Sequence, residues 1–293
     1  MDIVARYLNE RRTTRSFTKR TAINNGYILR ALLEHCPDDF SKTRKRHIIR
    51  WMESQHHCST ATVATRFGTV RAFTKWATAA GYVQADPCVG VQAPVRPRRQ
   101  PRAMCAADIE LLLDSAPDAR LGLCLSLMVC EGLRLSEVVG VQVGDLDWHR
   151  MTVTVIGKGD KQRTVHMTPA TAAAIRRYLT ESPATTGALI RSAKDGMAPV
   201  TANYIGKLVT DHMRTCGLKG WARDGRSAHA LRHTYASDLV DGGATIVAVA
   251  ELMGHANVQT TMVYQRHIDL ERVRRVVEAR PYACRHMRVA RAS

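Results

Sequence analysis

Apolar residues in the first part of the chain recur at the spacing of amphipathic helices. Two such runs cover residues 27–33 and 63–77, and Gly81 is expected to cap the second one. Between them, Ser41 is expected to be the N-cap of a third helix that extends to Met52. The basic residues along this third helix are Lys42, Arg44, Lys45, Arg46 and Arg50. The pattern therefore predicts a small all-helical domain over residues 1–86.

A segment rich in proline and arginine follows, over residues 87–104. Pro94, Pro97 and Pro101 prevent a continuous helix there, and the arginines between them follow no apolar period. These arginines include Arg96, Arg98 and Arg99. We interpret the segment as an extended, charged linker between two domains, although its composition also fits a disordered tether.

Beyond the linker, helical patterns surround a single β signal. β-branched residues alternate over residues 151–156, a glycine-containing turn follows at 157–161, and residues 163–167 return, which predicts a hairpin. Helices are expected near residues 108–113, 121–130, 170–179, 202–216 and 229–240, and again at 268–277. The sequence thus predicts a mainly α protein, in which an α+β domain with a small β-hairpin covers residues 105–280 and a basic tail covers 281–293.

The charge of the chain changes this picture by pointing to a polyanionic partner. The 293 residues carry a formal net charge of +17, and the pI is near 10.0. The charge is uneven, since residues 1–102 hold 19 Lys and Arg against 7 Asp and Glu. Basic side chains laid against phosphates release counterions, so this balance favours nucleic acid, although a solvated basic surface would look alike.

No apolar run approaches the roughly 18 residues of a membrane span, and the first residues lack a signal-peptide core, so a cytoplasmic protein without membrane contact is expected. The eight cysteines are scattered without a C-x-x-C pair. His56, His57 and Cys58 lie together, but their spacing is poor for a metal and nothing nearby completes a four-coordinate site. We therefore expect no metal and no cofactor.

Several short constellations carry candidate chemistry. His229 and Arg232 are three residues apart at the start of a helical run, so they can face one ligand, and Arg134 and Glu137 share that spacing. Each pair alone is more often an ordinary feature of a helix surface. Gly254 breaks a later helix before Asn257, which is a suitable N-cap for a helix that brings Tyr264 toward His255. Lys158 lies at the predicted hairpin tip.

Together these constellations resemble the tyrosine recombinases of the phage-integrase type, in order and in spacing, over about residues 106–270. The matching motifs are Gly132-Leu-Arg134-Leu-Ser-Glu137, Gly157-Lys158-Gly159-x-Lys161-x-Arg163, His229-x-Leu-Arg232-His233 and Leu252-Met-Gly254-His255-x-x-x-x-Thr260-Thr-x-x-Tyr264. The resemblance implies a fold with an N-terminal all-helical core-binding (SAM-like) domain and a C-terminal α+β catalytic domain. It is weaker for the first domain, which matches by position and character.

The resemblance also implies roles for individual residues. Tyr264 would attack a DNA phosphate and form a 3'-phosphotyrosyl bond, while Lys158 would protonate the leaving oxygen. The residues implied as catalytic are Arg134, Lys158, His229, Arg232, His255 and Tyr264. Glu137 and His233 would support them. DNA contacts are expected from Lys42, Arg44, Lys45, Arg46, Arg50, Arg96, Arg98 and Arg99.

The partners implied are double-stranded DNA with a core-type site of inverted repeats and further copies of the chain, assembled as a tetramer at synapsis in the cytoplasm of a bacterial host. An accessory directionality factor is a further partner that the resemblance allows. The segment after Tyr264 would dock on a neighbouring subunit or pack on its own domain. The sequence favours a phage or mobile-element integrase, with a Xer-like dimer resolvase as the alternative.

Other classes fit less well. A DNA-binding protein without catalysis would not need all six catalytic positions filled. A type IB topoisomerase would share the chemistry without requiring a particular site. A zinc hydrolase is suggested by the i, i+4 spacing of His229 and His233, but the general-base glutamate between them is missing and Arg232 would repel the metal.

Overall fold

The computed structural model describes residues 2–14, 16–95, 103–157, 160–192, 198–220 and 225–254. The chain divides into two compact units, Met1–Arg99 and Gln100–Ser293. The described residues are mainly helical with one small antiparallel sheet, which confirms the predicted fold class. Along these ranges no helix has the length and apolar character that crossing a membrane requires.

In its described part, the first unit consists of α-helices and one short 3-10 helix. The α-helices are α1 (Ile3–Thr13), α2 (Lys19–Leu33), α3 (Lys45–Glu53) and α4 (Thr60–Ala79), and the 3-10 helix is Phe40–Lys42. The sequence pattern had placed α2 and α4, and Gly81 follows α4 with a φ of 78° as its cap requires. It had assigned no separate helix to α1, where the Asp2 side chain accepts hydrogen bonds from the first turn.

An aromatic cluster forms the centre of this unit. Tyr7 is almost fully buried, and its ring lies 5.9, 5.3 and 5.1 Å from the rings of Phe17, Phe73 and Trp76, respectively. Burial of each large side chain contributes about 1.5–3 kcal/mol relative to exposure. These contacts join α1 to α4, so the helices form one core although each helix alone would be marginal.

The basic helix of this unit begins later than the sequence suggested. Asp39, not Ser41, is the cap there, because its carboxylate accepts from both the amide and the hydroxyl of Ser41 at 3.1 and 2.7 Å. Only one 3-10 turn follows, and α3 starts at Lys45 after the extended residue Arg44. The expected helix over residues 41–52 was therefore wrong at its start. All five basic residues expected along it are nevertheless exposed.

The second unit is larger and contains the sheet. Its described α-helices are α5 (Ala106–Asp114), α6 (Ala119–Val129), α7 (Leu135–Val138), α8 (Pro169–Glu181), α9 (Ala202–Thr215), α10 (Ala228–Asp241) and α11 (Ile246–Leu252). Its strands are β1 (Leu146–Asp147), β2 (Thr152–Ile156) and β3 (Gln162–His166), and a 3-10 helix covers Val143–Asp145. The helix expected over residues 268–277 lies outside the described residues.

The α6 helix is the centre of the second core. Leu121, Leu123, Leu125 and Leu127 are all buried, so the helix presents apolar side chains on every face. It packs against α5, α8, α9 and α10. Asp118 caps its first turn by accepting from the amide of Leu121 at 2.7 Å. The chain that leaves α6 is therefore held in place on several sides, and this exit leads to the candidate site.

The strands form an antiparallel sheet in the order β1-β2-β3. The predicted hairpin is present as β2 and β3, with Thr152 opposite His166 and Ile156 opposite Gln162. Val153, Val155 and Val165 point into the core, which explains the alternation in the sequence. The two-residue strand β1 was not predicted, because two residues are too few to show an alternating pattern.

The turn between α6 and α7 requires glycine at position 132 for two reasons. Gly132 has a φ of 64°, in the left-handed region that favours glycine. A β-carbon there would overlap the ring of Tyr235 on α10. The backbone of this turn thus lies directly against the Tyr235 ring.

We expect Gly132→Ala to lower the free energy of unfolding by about 3 kcal/mol or more, because left-handed strain adds to overpacking. Gly187→Ala is a matched control, since Gly187 has a φ of 80° but no heavy atom within 4 Å of an added β-carbon. Strain alone should cost the control about 1–2 kcal/mol. Urea unfolding of both variants measures the difference, and an equal loss in the two would contradict the contact with Tyr235.

Candidate active site

The candidate site is built around the carboxylate of Glu137, in the first turn of α7. Its Oε2 accepts from the backbone amide of Arg134 at 2.8 Å, so the N3 carboxylate caps the start of this helix by binding the N-cap amide. Its Oε1 accepts from Nη1 of Arg134 at 2.7 Å. The spacing of three residues therefore does what the sequence indicated, since Glu137 holds the Arg134 guanidinium in one orientation.

Two further arginines reach the same carboxylate from distant parts of the chain. Arg163 on β3 donates from Nη1 to Oε1 and from Nη2 to Oε2, each at 2.8 Å, in a two-pronged pair. Nη1 of Arg232 on α10 lies 3.6 Å from Oε2. The Glu137 side chain is only 1% exposed, so burial makes these ion pairs strong and makes any unpaired charge costly.

The pKa of Glu137 reflects this surplus of positive charge. Burial acts to raise it, but hydrogen bonds and charge from Arg163 and Arg134 outweigh burial and lower the pKa from 4.5 to about 2. The carboxylate is therefore ionised at any pH near neutrality. Three guanidinium groups around one carboxylate leave a net positive charge in this cluster, which favours an anionic ligand.

The end of α11 supplies the other partners of the three arginines. Nε of Arg163 donates to the carbonyl of Leu252 at 3.1 Å, and Nη2 of Arg134 donates to the carbonyl of Gly254, also at 3.1 Å. Nη2 of Arg232 donates to the carbonyl of Met253 between them. The last carbonyls of a helix have no partner within it, so the arginines satisfy them. Three successive carbonyls are thus bound by three different arginines.

Arg232 and Arg134 differ in exposure. The side chain of Arg232 is 2% exposed and also donates to the carbonyl of Gly132, so it lies in the floor of the site. The side chain of Arg134 is 29% exposed. Both line a cleft of about 300 Å³, together with His229. The two arginines and the histidine that were predicted to act together are therefore adjacent.

His229 lies in the first turn of α10 at the mouth of this cleft. Partial burial of the ring lowers its pKa below the ordinary value of 6.5, and the positive charges of Arg232 and Arg134 lower the pKa further. The ring of His233 packs against it with 4.5 Å between the ring centroids. The shift favours the neutral ring, which is the form that can accept a proton.

Other predicted site residues lie outside the described residues. They are Lys158, His255, Tyr264, Arg96, Arg98 and Arg99. The described basic residues of the first unit, Lys42, Arg44, Lys45, Arg46 and Arg50, belong to a separate unit from the cluster around Glu137. Within the described ranges, no three His, Cys, Asp or Glu side chains are grouped in a way that would hold a metal ion.

Sequence reasoning missed the part played by Arg163. It was included in the motif that follows Lys158, but it received no role of its own. A signal was present, because the motif contains this arginine at a fixed position after Lys158. Its partner could not be read from the sequence, since Glu137 lies 26 residues earlier. The contact between Gly132 and Tyr235 was missed for the same reason.

Sequence comparisons show which family the chain belongs to. The model of the Phage integrase family matches residues 102–271. The chain is 33% identical to the tyrosine recombinase XerC of Corynebacterium efficiens, over 73% of this chain and 70% of that protein. It is 30% identical to XerC of Mycobacterium sp. strain KMS, over 94% and 96% of the two chains. The chain therefore belongs to the phage integrase family of tyrosine recombinases.

Solved structures share the fold at lower identity. The Tn1549 transposon integrase in complex with transposon right end DNA has a TM-score of 0.77 and 17% identity, covering 95% of this chain and 99% of that one. A lambda integrase dimer bound to a COC' core site has a TM-score of 0.74 and 15% identity, covering 88% and 95% of the two chains. Both confirm the architecture that the sequence predicted.

We expect Glu137→Gln to lower the free energy of unfolding at pH 7 by about 3 kcal/mol, because it leaves buried guanidinium charge unpaired. The pKa of Glu137 is lowered from 4.5 to about 2, so the carboxylate stabilises the fold above pH 4.5 and loses this effect as the pH falls toward 2. The difference between wild type and variant should therefore shrink below pH 4.5.

Urea unfolding at pH 7 and pH 4 measures this change. Glu181→Gln is the control, because Glu181 pairs with Arg177 on the surface, where both side chains are more than half exposed. This control should lose at most about 1 kcal/mol at either pH. A Glu137→Gln variant that is as stable as the control at pH 7 would contradict the central place of the carboxylate.

Proposed function

We propose that this tyrosine recombinase cleaves and rejoins double-stranded DNA at a specific core-type site through a 3'-phosphotyrosyl bond to Tyr264. The observation that carries the proposal is the set of guanidinium groups held by Glu137 beside the His229 cleft. Fixed guanidiniums in a water-poor site stabilise the negative charge that develops on phosphate oxygens during transfer. The family's nucleophile matches Tyr264 in sequence.

The biological role that we propose is Xer-like resolution of chromosome or plasmid dimers. Support comes from relatives named XerC and XerD, at 30 to 33% identity. The similarity to XerC of Mycobacterium sp. strain KMS extends over nearly the whole of both chains. The lambda and Tn1549 integrases among the solved structures share only 15 to 17% identity and support the fold alone. We therefore favour the Xer-like alternative over the phage or mobile-element integrase role that the sequence first suggested.

The reaction exchanges one phosphodiester for another. The phenol oxygen of Tyr264 attacks the phosphorus, its proton passes to neutral His229, and the bond to the 5' oxygen breaks. Lys158 donates a proton to that oxygen, which leaves as a free hydroxyl, and the 3' end stays on the tyrosine. A tyrosine with an ordinary pKa near 10 needs such a base or strong positive surroundings to become a nucleophile. Rejoining is the same step in reverse.

Two arginines and a histidine would bind the phosphate oxygens. Arg134 has the exposure to reach a ligand in the cleft, and Arg232 adds its charge from the floor. His255 follows Gly254 directly in the sequence, so it comes immediately after the carbonyl that Arg134 binds. Because guanidinium groups supply the positive charge, we propose that the reaction needs no metal ion and no other cofactor. His233 would support His229 through the packing of their rings.

DNA binding would be shared between two domains. We propose a helical DNA-binding domain over residues 1–86, a linker over 87–104, a catalytic domain over 105–280 and a basic tail over 281–293. The exposed residues Lys42, Arg44, Lys45, Arg46 and Arg50 would contact the DNA backbone. The solved relatives include a lambda integrase tetramer bound to a Holliday junction, and we propose that this chain also forms a tetramer at synapsis. An accessory factor would set the direction of exchange.

We expect Tyr264→Phe to keep DNA binding while it abolishes the covalent adduct, because phenylalanine lacks the attacking oxygen. Denaturing gels with a nicked, labelled core site measure the adduct, and gel-shift titrations measure binding. Wild type should form the adduct in excess EDTA, as a metal-free mechanism requires. Persistence of the adduct in the variant would contradict the nucleophile, and its loss in EDTA would contradict the metal-free reaction.

The pKa of His229 is lowered from 6.5, and His229 must be neutral to accept the proton of the tyrosine. We therefore expect the rate of adduct formation to stay constant as the pH falls to 6.5 and to decrease only at lower pH. The rate at subsaturating protein, which reports the free enzyme, should fall only below that pH. Measurement from pH 5 to 8 tests this, and His229→Gln should remove the acid limb and slow the reaction throughout. An acid limb in the wild type at or above 6.5 that disappears in His229→Gln would contradict the assignment.

A further inference from the structure

We infer that Arg163 is a positioning residue for recombination, which aligns Arg134 and the end of α11 through Glu137 without binding the phosphate itself. The inference deepens the proposed function and rests on it. Arg163 belongs to one of the matching motifs, but the proposed reaction assigns it no step. The inference gives it a role. It also explains why β3 of the hairpin is tied to α7 and α11.

The contacts of Arg163 are directed entirely at the protein. Nη1 and Nη2 bind the two oxygens of Glu137 at 2.8 Å each, and Nε binds the carbonyl of Leu252 at 3.1 Å. Each of its three nitrogens therefore donates to a protein oxygen. The side chain is 14% exposed, against 29% for Arg134. Arg134 and Arg232 line the cleft of the candidate site and Arg163 does not, so Arg163 is a poor candidate for a direct phosphate ligand.

The turn at Gly254 leaves little free space beside the Arg163 guanidinium. A β-carbon on Gly254 would lie 3.2 Å from Nη1 of Arg163 and 3.3 Å from Cδ. Gly254 has a φ of 59°, which glycine adopts without strain. The turn that ends α11 thus lies against the Arg163 side chain. The backbone that leads to His255 starts from this turn.

The consequence for catalysis follows from the shared carboxylate. The fork of Arg163 fixes both oxygens of Glu137, and the same oxygens hold Nη1 and the amide of Arg134. If the fork is lost, the carboxylate can rotate and Arg134 loses its orientation. Misplacement by about 1 Å costs a catalytic group about 100-fold in rate. Because most of the proposed contacts with the DNA backbone lie in the first domain, we expect the affinity for DNA to change little.

Arg163→Lys is the sharpest test, because lysine keeps the charge but cannot bind two carboxylate oxygens and a carbonyl in one plane. At saturating protein, we expect the rate of adduct formation on a nicked core site to fall roughly 10- to 100-fold. The dissociation constant for DNA should change less than about twofold, which is near the limit that loss of a weak surface contact produces. Arg177→Lys, an exposed arginine paired with Glu181, is the control and should match wild type.

Coupling to Glu137 separates positioning from direct contact. If Arg163 acts through the carboxylate, Arg163→Lys and Glu137→Gln should not add, and the double variant should be no slower than the slower single variant. Multiplied losses, or a DNA affinity weakened in proportion to the rate, would overturn the inference in favour of a direct phosphate contact. A wild-type rate in Arg163→Lys would overturn it as well.

Stability provides the remaining check. The thermal midpoint of Arg163→Lys should stay within about 4 °C of wild type, because lysine keeps the positive charge beside Glu137. Unfolding of both Arg163→Lys and Arg163→Gln at the assay temperature would overturn the inference and leave Arg163 a purely stabilising residue. Wild type and Tyr264→Phe run in the same assay, so absence of adduct in wild type would refute the proposed function, whereas adduct in wild type with unchanged Arg163→Lys would refute only this inference.

Discussion

One buried carboxylate determines where the candidate active site can be. Glu137 is removed from water, so its charge has to be compensated by positive groups. Three arginines provide them, from the N-cap of α7, from β3 and from α10. Each arginine is fixed by the same partner, and so their positions are correlated. The elements that carry them cannot shift independently without breaking a buried ion pair. This constraint accounts for the geometry of the cluster better than any single helix does.

The same arginines solve a second problem, at the end of α11. A helix leaves its last carbonyls without partners, and here the carbonyls of Leu252, Met253 and Gly254 accept from guanidinium groups. The cluster thus links a structural need to a functional one. It fixes the end of the helix after which the proposed catalytic residues His255 and Tyr264 follow in the sequence. The positive charge of the three arginines is therefore concentrated beside one cleft.

The division of labour among the arginines follows from their exposure. Arg232 lies in the floor, Arg163 faces the protein, and Arg134 reaches toward solvent. A phosphate that enters the cleft would therefore meet Arg134 and His229 first, with a positive field behind them. The lowered pKa of His229 comes from its burial and from this same positive field. The same positive charges would therefore attract the phosphate and lower the pKa of the proposed base.

The sequence determined most of the helices, the hairpin and the motifs, because these depend on neighbours within a turn or on alternation along a strand. It also predicted the pair of Arg134 and Glu137, which are three residues apart. The predicted start of α3 was wrong because the Asp39 carboxylate accepts from the amide of Ser41 and takes the place of Ser41 as the cap. Only the tertiary structure decided that Arg163, 26 residues from Glu137, shares its carboxylate. Periodicity records local geometry, whereas a buried charge is satisfied by whichever group the fold brings near.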